Sequence, residues 1–331
     1  MSTVAAVPPL FLLACSRFLR TDSSWLDIPS NFQMQYLLCG LGLLCVAVWL
    51  KYTPGVIASI VLVLFQIPAV WPYYSGPVSH AAPCLTIGVA NVYGANRHFD
   101  AFGDWLEESK PDVLLLQETE ERWPTYLTLF ADAYPYIESV THPVWGFDAK
   151  ILSRYPIAQH EVVALPPNDI PVQRAVLDVD GRHVALYNLH LFPTSQRRAM
   201  QNPVLRAALQ RETLPYVVAG DFNATIWSPG QRDLMAGLNL RNAAFGFGYQ
   251  PTWPARALPL LRFVQAIYLG GDRGAGRFSA PETITPLLAG ALGIPLDHAY
   301  VSPEIGVTRY ERGPGINSDH LPLLVGLSLP K

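Results

Sequence analysis

Asn317-Ser318-Asp319-His320 stands directly before the apolar, strand-like run of residues 321–327. Its adjacent carboxylate and imidazole govern how the rest of the chain is read. Successive residues of a regular strand point to opposite faces, so Asp319 and His320 can act together only at a strand edge or a loop tip. There a metal-binding carboxylate and a general base can converge on one substrate atom. Taken alone, Ser-Asp-His is more often only a turn. Its weight comes from polar clusters upstream.

Asn91 follows Ile87-Gly88-Val89-Ala90, and Gln117-Glu118 ends the apolar run 113–116. Asn188 and His190 stand in Tyr187-Asn188-Leu189-His190, Gly220-Asp221-Phe222-Asn223 follows the run 216–219, and Asp297-His298 precedes the final motif. Singly, each has an ordinary structural explanation: a turn residue for Asn91, a helix N-terminal charge for Glu118, a core histidine for His190, an Asx turn for Gly-Asp-Phe-Asn. Jointly they are harder to dismiss. A carboxylate at the end of a buried strand is costly unless paired or bound to a cation, and this recurs at Glu118, Asp221 and Asp319. A hard divalent cation with oxygen ligands compensates such a cluster. Amides at Asn91 and Asn223 beside His190 and His320 suit Mg²⁺ and phosphate better than zinc, and no CxxC or Cys/His cluster is present.

Around these motifs the chain alternates strand and helix patterns. Residues 84–90, 113–116, 149–153, 172–178, 183–189, 216–219 and 299–302 read as strands. Residues 97–108 carry Phe99, Phe102, Trp105 and Leu106 at helical spacing, and 195–212 hold Leu205 and Leu209 one turn apart. The order is that of a mixed α/β fold. Residues 264–293, with Gly270-Gly271, Gly274 and Gly276 followed by an apolar stretch, form an unusually long connection, read as a lid, a membrane-facing insertion or a mobile loop.

Half of the 331 residues are hydrophobic and 15% are charged, and the excess of apolar residues lies at the N-terminus. Residues 36–52 and 54–71 are each close to the roughly 17 to 20 residues that span a bilayer, and the shorter apolar stretch 4–13, interrupted by Pro8 and Pro9, is a third span or the remnant of one. The expected organisation is a membrane anchor over 1–74, a Gly/Pro-containing linker over 75–83 and a catalytic domain over 84–331. Lys51 in the tight hairpin favours an extracytoplasmic catalytic domain, whereas Arg17 and Arg20 pull the other way. Beyond residue 80 there are 20 Lys and Arg against 24 Asp and Glu, because Arg17, Arg20, Lys51, Asp22 and Asp27 precede it. That balance offers no compositional basic face for a long duplex. Only Cys84 lies beyond the N-terminal region, so the large domain has no internal disulfide.

In this order, Asn91, Gln117-Glu118, Asn188-Leu189-His190, Gly220-Asp221-Phe222-Asn223, Asp297-His298 and Ser318-Asp319-His320 resemble the motif series of the endonuclease/exonuclease/phosphatase superfamily of DNase I-like proteins. The N-terminal hairpin resembles the superfamily's bacterial membrane-anchored branch, which implies residence in the bacterial inner membrane. The resemblance implies a four-layer α/β sandwich, two mixed β-sheets face to face with helices outside, preceded here by transmembrane helices. It implies Mg²⁺, or Mn²⁺, held by Glu118 with Asn91 and Asp319 close to the metal or its waters. His320 then resembles the base that activates water, oriented by Asp297. Asp221 and Asn223 resemble the pair that positions nucleophile and phosphate, and His190 a donor to the phosphoryl oxygen. His298 is read as structural. Lys150 and Arg154 are read as surface or core-edge residues or as phosphate contacts, and Arg197 and Arg198 as a substrate-side basic patch or an exposed helix start.

The expected activity is metal-dependent hydrolysis of a phosphodiester or phosphomonoester. Nucleic acid and a phospholipid headgroup remain alternative substrates, because core chemistry does not fix the substrate. A catalytically inactive membrane adaptor is the competing class, but no ligand or base is missing. Apart from substrate and bilayer, nothing in the sequence points to a protein partner.

Overall fold

The strand Leu85–Asn91 (β1) is apolar on both faces, as expected of a central strand covered on each side. A computed structural model describes residues 2–19, 24–143, 146, 148–255, 290 and 292–330. In it β1 pairs in parallel with Val113–Thr119 (β2) and antiparallel with Leu323–Ser328 (β12). Tyr136–Thr141 (β3), Asp148–Ser153 (β4) and Gly306–Arg312 (β11) complete a sheet ordered β11-β12-β1-β2-β4-β3. The second sheet runs β5-β6-β7-β8-β10-β9. Its strands are Ile157–Leu165 (β5), Ile170–Val179 (β6), Arg182–His190 (β7), Tyr216–Asp221 (β8), Arg241–Asn242 (β9) and Asp297–Val301 (β10).

Period-two alternation sorts the side chains into layers. Ile87, Val89, Val113, Leu115 and Val325 of the first sheet join Leu177, Val184, Leu186, Val217 and Ala219 of the second in one apolar core. On the outer face of the first sheet, Ala90, Leu114 and Leu116 pack against Phe102, Trp105 and Leu106 of Asp100–Ser109 (α6) and Trp123 of Trp123–Leu127 (α7). The second sheet turns Val176, Tyr187 and Val218 towards Leu205 and Leu209 of Ser195–Leu209 (α8) and Leu234 of Pro229–Met235 (α9). The result is the expected sandwich of two mixed sheets with helices outside.

The strand pairing also decides where polar residues collect. β1 and β2 run parallel, as do β7 and β8, so their C-terminal ends fall at one rim; Asn91 lies opposite Gln117, and His190 opposite Asp221. The antiparallel neighbours begin at that rim, with Asp297 opposite Asp221 and Leu323, just after His320, opposite Val89. Beneath it, fully buried Gln117 and Asn188 tie the sheets together. Gln117 Nε2 donates to Asn188 Oδ1 at 2.6 Å, and Asn188 Nδ2 donates to Gln173 Oε1 at 3.0 Å.

Four strands, the edges of both sheets, left no clear sequence signal; one, β9, is only two residues long. β3 and β5 are sheet edges with mostly exposed or half-buried side chains, so no core-facing alternation marks them, and β11 is a third edge with mixed burial. Pro203 is accommodated within α8. The long connection 264–293 lies outside the described residues except at 290, 292 and 293.

At the N-terminus, Ser2–Cys15 (α1), Gln33–Trp49 (α3) and Thr53–Val70 (α4) pack side by side, with the short Ser24–Ser30 (α2) between α1 and α3. Among the described helices α4, with mean hydropathy 2.0, is the one long and apolar enough to cross a membrane by length and composition. Leu12, Trp49, Ile57, Val61 and Leu64 are exposed. Arg17 is buried, donating to Gln33 Oε1, Gln66 Oε1 and the Phe65 carbonyl at 2.9–3.0 Å. After α4, Pro72–Ser75 (α5) brings Tyr73 edge-on to Trp227, Phe245 and Tyr249. Residues 75–83 then pass from β9, where Arg241 donates to the Pro77 carbonyl, to the first sheet, where Ser79 N donates to Val307 O at 2.7 Å. These helices are therefore docked onto the sandwich, with Met34, Val70 and Tyr73 in its central core.

Two stability predictions follow from this architecture. Gly220 has φ +139°, and a Cβ there would lie 2.0 Å from the Leu189 carbonyl oxygen. Gly220→Ala should cost about 2 kcal/mol or more, read as a lower urea midpoint at unchanged slope. His298 is buried, packs edge-on to Phe222, and has Nε2 2.9 Å from the Ala224 carbonyl oxygen; burial pushes its pKa down to about 4 from the usual 6.5. The unfolded chain thus takes up this proton at higher pH than the folded one, so stability falls as pH drops from about 6.5 towards 4, by about 3 kcal/mol from this residue. Urea titrations of His298→Gln across that range should show a shallower loss than the wild type.

Candidate active site

Asn91, the last residue of β1, is buried, and its Nδ2 donates to Glu118 Oε1 at 2.9 Å and to Asp221 Oδ2 at 3.1 Å. One amide from the first sheet thereby holds together a carboxylate from each sheet. Glu118 Oε2 also accepts from Gly94 N at 3.0 Å. Ser318 explains the first letter of Ser-Asp-His: its Oγ donates to Asn91 O at 2.7 Å and accepts from His320 N at 3.0 Å. That clasp fixes the final loop to β1. Behind it, His320 Nδ1 lies 2.8 Å from Asp297 Oδ2, leaving Nε2 3.7 Å from Asp221 Oδ2.

From the other side, His190 Nε2 stands 3.7 Å from Glu118 Oε1 and 3.6 Å from Asp221 Oδ2. Asn223 N donates to Asp221 Oδ1 at 2.8 Å, and Asn223 Nδ2 to Leu191 O at 2.8 Å. Glu118, Asn223 and Asn317 all have φ between 51° and 60°, a left-handed conformation uncommon outside glycine that concentrates at functional sites.

A cavity of about 310 Å³ opens among these groups. Glu118, His190, Asp221, Asn223, Asp319 and His320 line it, while Asn91 and Asp297 sit behind Glu118 and His320. All eight residues singled out from the sequence are therefore brought to one rim, six at the cavity surface and two supporting them. Asn188 is instead part of the buried tie between the sheets. Lys150 is buried and pairs with Asp148 at 2.8 Å, and Arg154 lies over the Tyr134 ring, so neither faces the cavity. Arg197 covers the Phe192 ring. Arg198 departs from a surface patch altogether: it is buried in an ion pair with Asp27 at 2.6 Å.

Sequence reasoning missed the other half of the lining. Asp27, Ile28, Asn31 and Phe32 come from the N-terminal segment, and Trp253, Ile294 and Leu296 from the chain before β10. Asp27 and Asn31 stand between apolar segments with no partner suggested by spacing. The Trp253-Pro254 pair was visible only as a turn.

Electrostatics in this cavity are dominated by crowded carboxylates. Burial, reinforced by Asp297, pushes Asp221 up to about 6 despite His320 and His190. Burial also raises Asp319, with Glu118 adding to it. Burial alone would lower the His320 pKa, but Asp297, Asp221 and Asp319 outweigh it and hold it well above the usual imidazole range. Such mutual repulsion fits a hard divalent cation with oxygen ligands. Among the described residues, donor atoms of Asp221, Asp297 and His320 lie within 4.8 Å of one another. An ion bound by that trio would compete for the atoms joining Asp297 to His320. A position at Glu118, between Asn91 and Asp221, leaves that pair intact.

The model of the Endonuclease/Exonuclease/phosphatase family matches residues 88–320, from within β1 to His320. Among solved structures, an endonuclease/exonuclease/phosphatase protein from Bacteroides vulgatus aligns with TM-score 0.56 at 16% identity over 74% of this chain and 98% of that one. TDP2 from D. rerio, complexed with single strand DNA product, aligns with TM-score 0.55 at 16% identity over the same shares. A family protein from Leptotrichia buccalis aligns with TM-score 0.54 at 14% identity over 74% of this chain and all of that one. No curated protein matches the chain. With the family's motifs assembled at one rim of its sandwich, this chain belongs to the endonuclease/exonuclease/phosphatase family of divalent-metal-dependent hydrolases of phosphodiester and phosphate bonds.

Proposed function

We propose that the protein is a membrane-held, Mg²⁺-dependent phosphoesterase in which His320 is the general base and Glu118 the principal metal ligand. The observation that carries this reading is the His320–Asp297 pair facing Asp221 across the same cavity that Glu118 lines. Asp297 fixes the proton on Nδ1; a divalent cation offsetting the Asp221 and Asp319 charges that raise the His320 pKa would leave Nε2 unprotonated and able to accept a proton from the attacking water. Asp221, held by Asn91 and the Asn223 backbone, orients that water, while the Asn223 and His190 side chains donate to the phosphoryl oxygens as charge builds on them. Asn91 holds Glu118 in place, and Asp319 would serve the metal or its waters. When bound, Mg²⁺ or Mn²⁺ supplies charge neutralisation for the phosphate and the carboxylates. The inactive-adaptor reading lacks support, since every expected ligand and base is present.

Removing a general base costs roughly 10²- to 10⁴-fold in rate. His320→Ala and Glu118→Ala should each lower kcat on a generic phosphodiester by about that factor, and EDTA should abolish turnover until Mg²⁺ or Mn²⁺ is restored. Wild-type rates in either variant would sink the assigned roles.

A membrane location is supported by the exposed apolar helices and by α4. Arg17, buried between helices, carries little weight in a positive-inside count. Exposed Lys51, in the α3–α4 turn, favours a cytoplasmic turn and an extracytoplasmic sandwich. A phosphatase reporter fused after Lys331 should be active; an active cytoplasmic reporter at the same position would reverse the topology. Nucleic acid is a second substrate reading, favoured by the neighbouring TDP2 structure with its single strand DNA product.

A further inference from the structure

We propose that α2 and Phe32 form a fixed wall of the catalytic cavity that selects a phosphate ester bearing a long apolar group, as a membrane lipid does. This rests on the hydrolase reading of the site. The cavity is lined by two kinds of residue. Glu118, His190, Asp221 and His320 are polar, and Ile28, Phe32, Trp253, Ile294 and Leu296 are apolar. A phosphate head requires the first set, and only an apolar substituent gains from the second.

The wall is bolted to the catalytic loops. Asp27 accepts from Arg198 Nη2 through Oδ2 and from Ser228 Oγ through Oδ1, both at 2.6 Å. Asn31 Oδ1 accepts from Thr225 N at 2.8 Å and from Thr225 Oγ1 at 2.9 Å. Arg198 Nη1 in turn donates to the carbonyls of Phe192, Pro193 and Asn223. α2 is thereby tied both to the loop after His190 and to the Asp221–Asn223 turn. Withdrawing it would leave a buried guanidinium without its carboxylate, so this element is part of the site's architecture.

The wall leads in the chain to an apolar helix. Phe32 packs against the cluster of Trp253, Ile294 and Leu296. It continues directly into α3, whose Leu38, Leu41 and Trp49 are exposed. Gln35 Nε2 donates to the Gly293 carbonyl at 2.8 Å and pins the start of α3 beside Ile294. A nucleic acid strand needs a cationic track. Among the described residues, Arg198 is the only Lys or Arg in the lining, and Asp27 neutralises it.

The test uses the full-length protein in a non-ionic detergent at fixed concentration. Binding of dodecyl phosphate and ethyl phosphate is compared by calorimetry, and hydrolysis of the corresponding alkyl nitrophenyl phosphodiesters and of a single-stranded oligonucleotide is measured alongside. Burying only two methylenes is worth about tenfold, so dodecyl phosphate should bind at least about tenfold tighter, with kcat/KM rising in parallel and the oligonucleotide the poorest substrate. Phe32→Ser and Ile28→Ser should each bring the dodecyl-to-ethyl ratio towards one, which separates binding at the wall from partition into detergent. Equal affinity for both alkyl phosphates in the wild type, a ratio unchanged in both variants, or preference for the oligonucleotide would overturn the proposal. Failure to hydrolyse any diester would sink the hydrolase reading, while the binding ratio would still decide the wall.

Discussion

Everything at the catalytic rim depends on two parallel strand pairs, β1–β2 and β7–β8, being pressed together through one apolar layer. The buried aliphatic side chains of both sheets exclude water from the middle of the sandwich, so a polar side chain has a stable place only where strands end. Because each pair is parallel, its two ends lie at the same rim, and the antiparallel partners β10 and β12 begin there. Carboxylates distant in sequence are thus forced together. Their repulsion is the physical problem that the rest of the site answers.

The answer is a set of short polar ties, each with more than one job. Asn91 donates to Glu118 and Asp221 together, and Ser318 links the Asn91 backbone to that of His320. Asp297 orients His320 from behind the cavity. Thr252 Oγ1 accepts from the backbone of Leu296 and Asp297, while its carbonyl accepts from Leu321 N, so it joins the start of β10 to the end of the final motif. A net of this kind holds donors and acceptors in place before substrate arrives, the condition under which electrostatic stabilisation of a transition state is most effective.

The N-terminal helices share in this architecture. Tyr73, Met34 and Val70 extend the core, Trp227 Nε1 donates to Ala69 O, and Arg232 donates to the Arg17 carbonyl. Through Asp27 and Asn31 the same segment reaches the catalytic loops. An apolar segment and a hydrolytic site that look independent along the chain are therefore mechanically joined, which gives a physical route by which the surroundings of the helices can bear on substrate choice.

Much of the site was legible in sequence because its chemistry is written in short contiguous motifs at strand ends. Gly220-Asp221-Phe222-Asn223 and Ser318-Asp319-His320 mark where buried runs stop, and the central strands declare themselves through apolar stretches that must be covered on both faces. Edge strands β3 and β5 bury too little to leave such a pattern. The place of Arg198 was illegible for a different reason: its partner Asp27 is 171 residues away, and neither residue's neighbours hint at the other. The sequence by itself determined the mixed α/β class and the types and order of the residues at the candidate site, because these depend on local periodicity and on motifs a few residues long. Only the tertiary structure decided that Asn91 bridges two carboxylates, that Arg198 is buried, and that a helix before the apolar hairpin walls the cavity. Those facts depend on which distant surfaces meet, and one-dimensional spacing does not encode that.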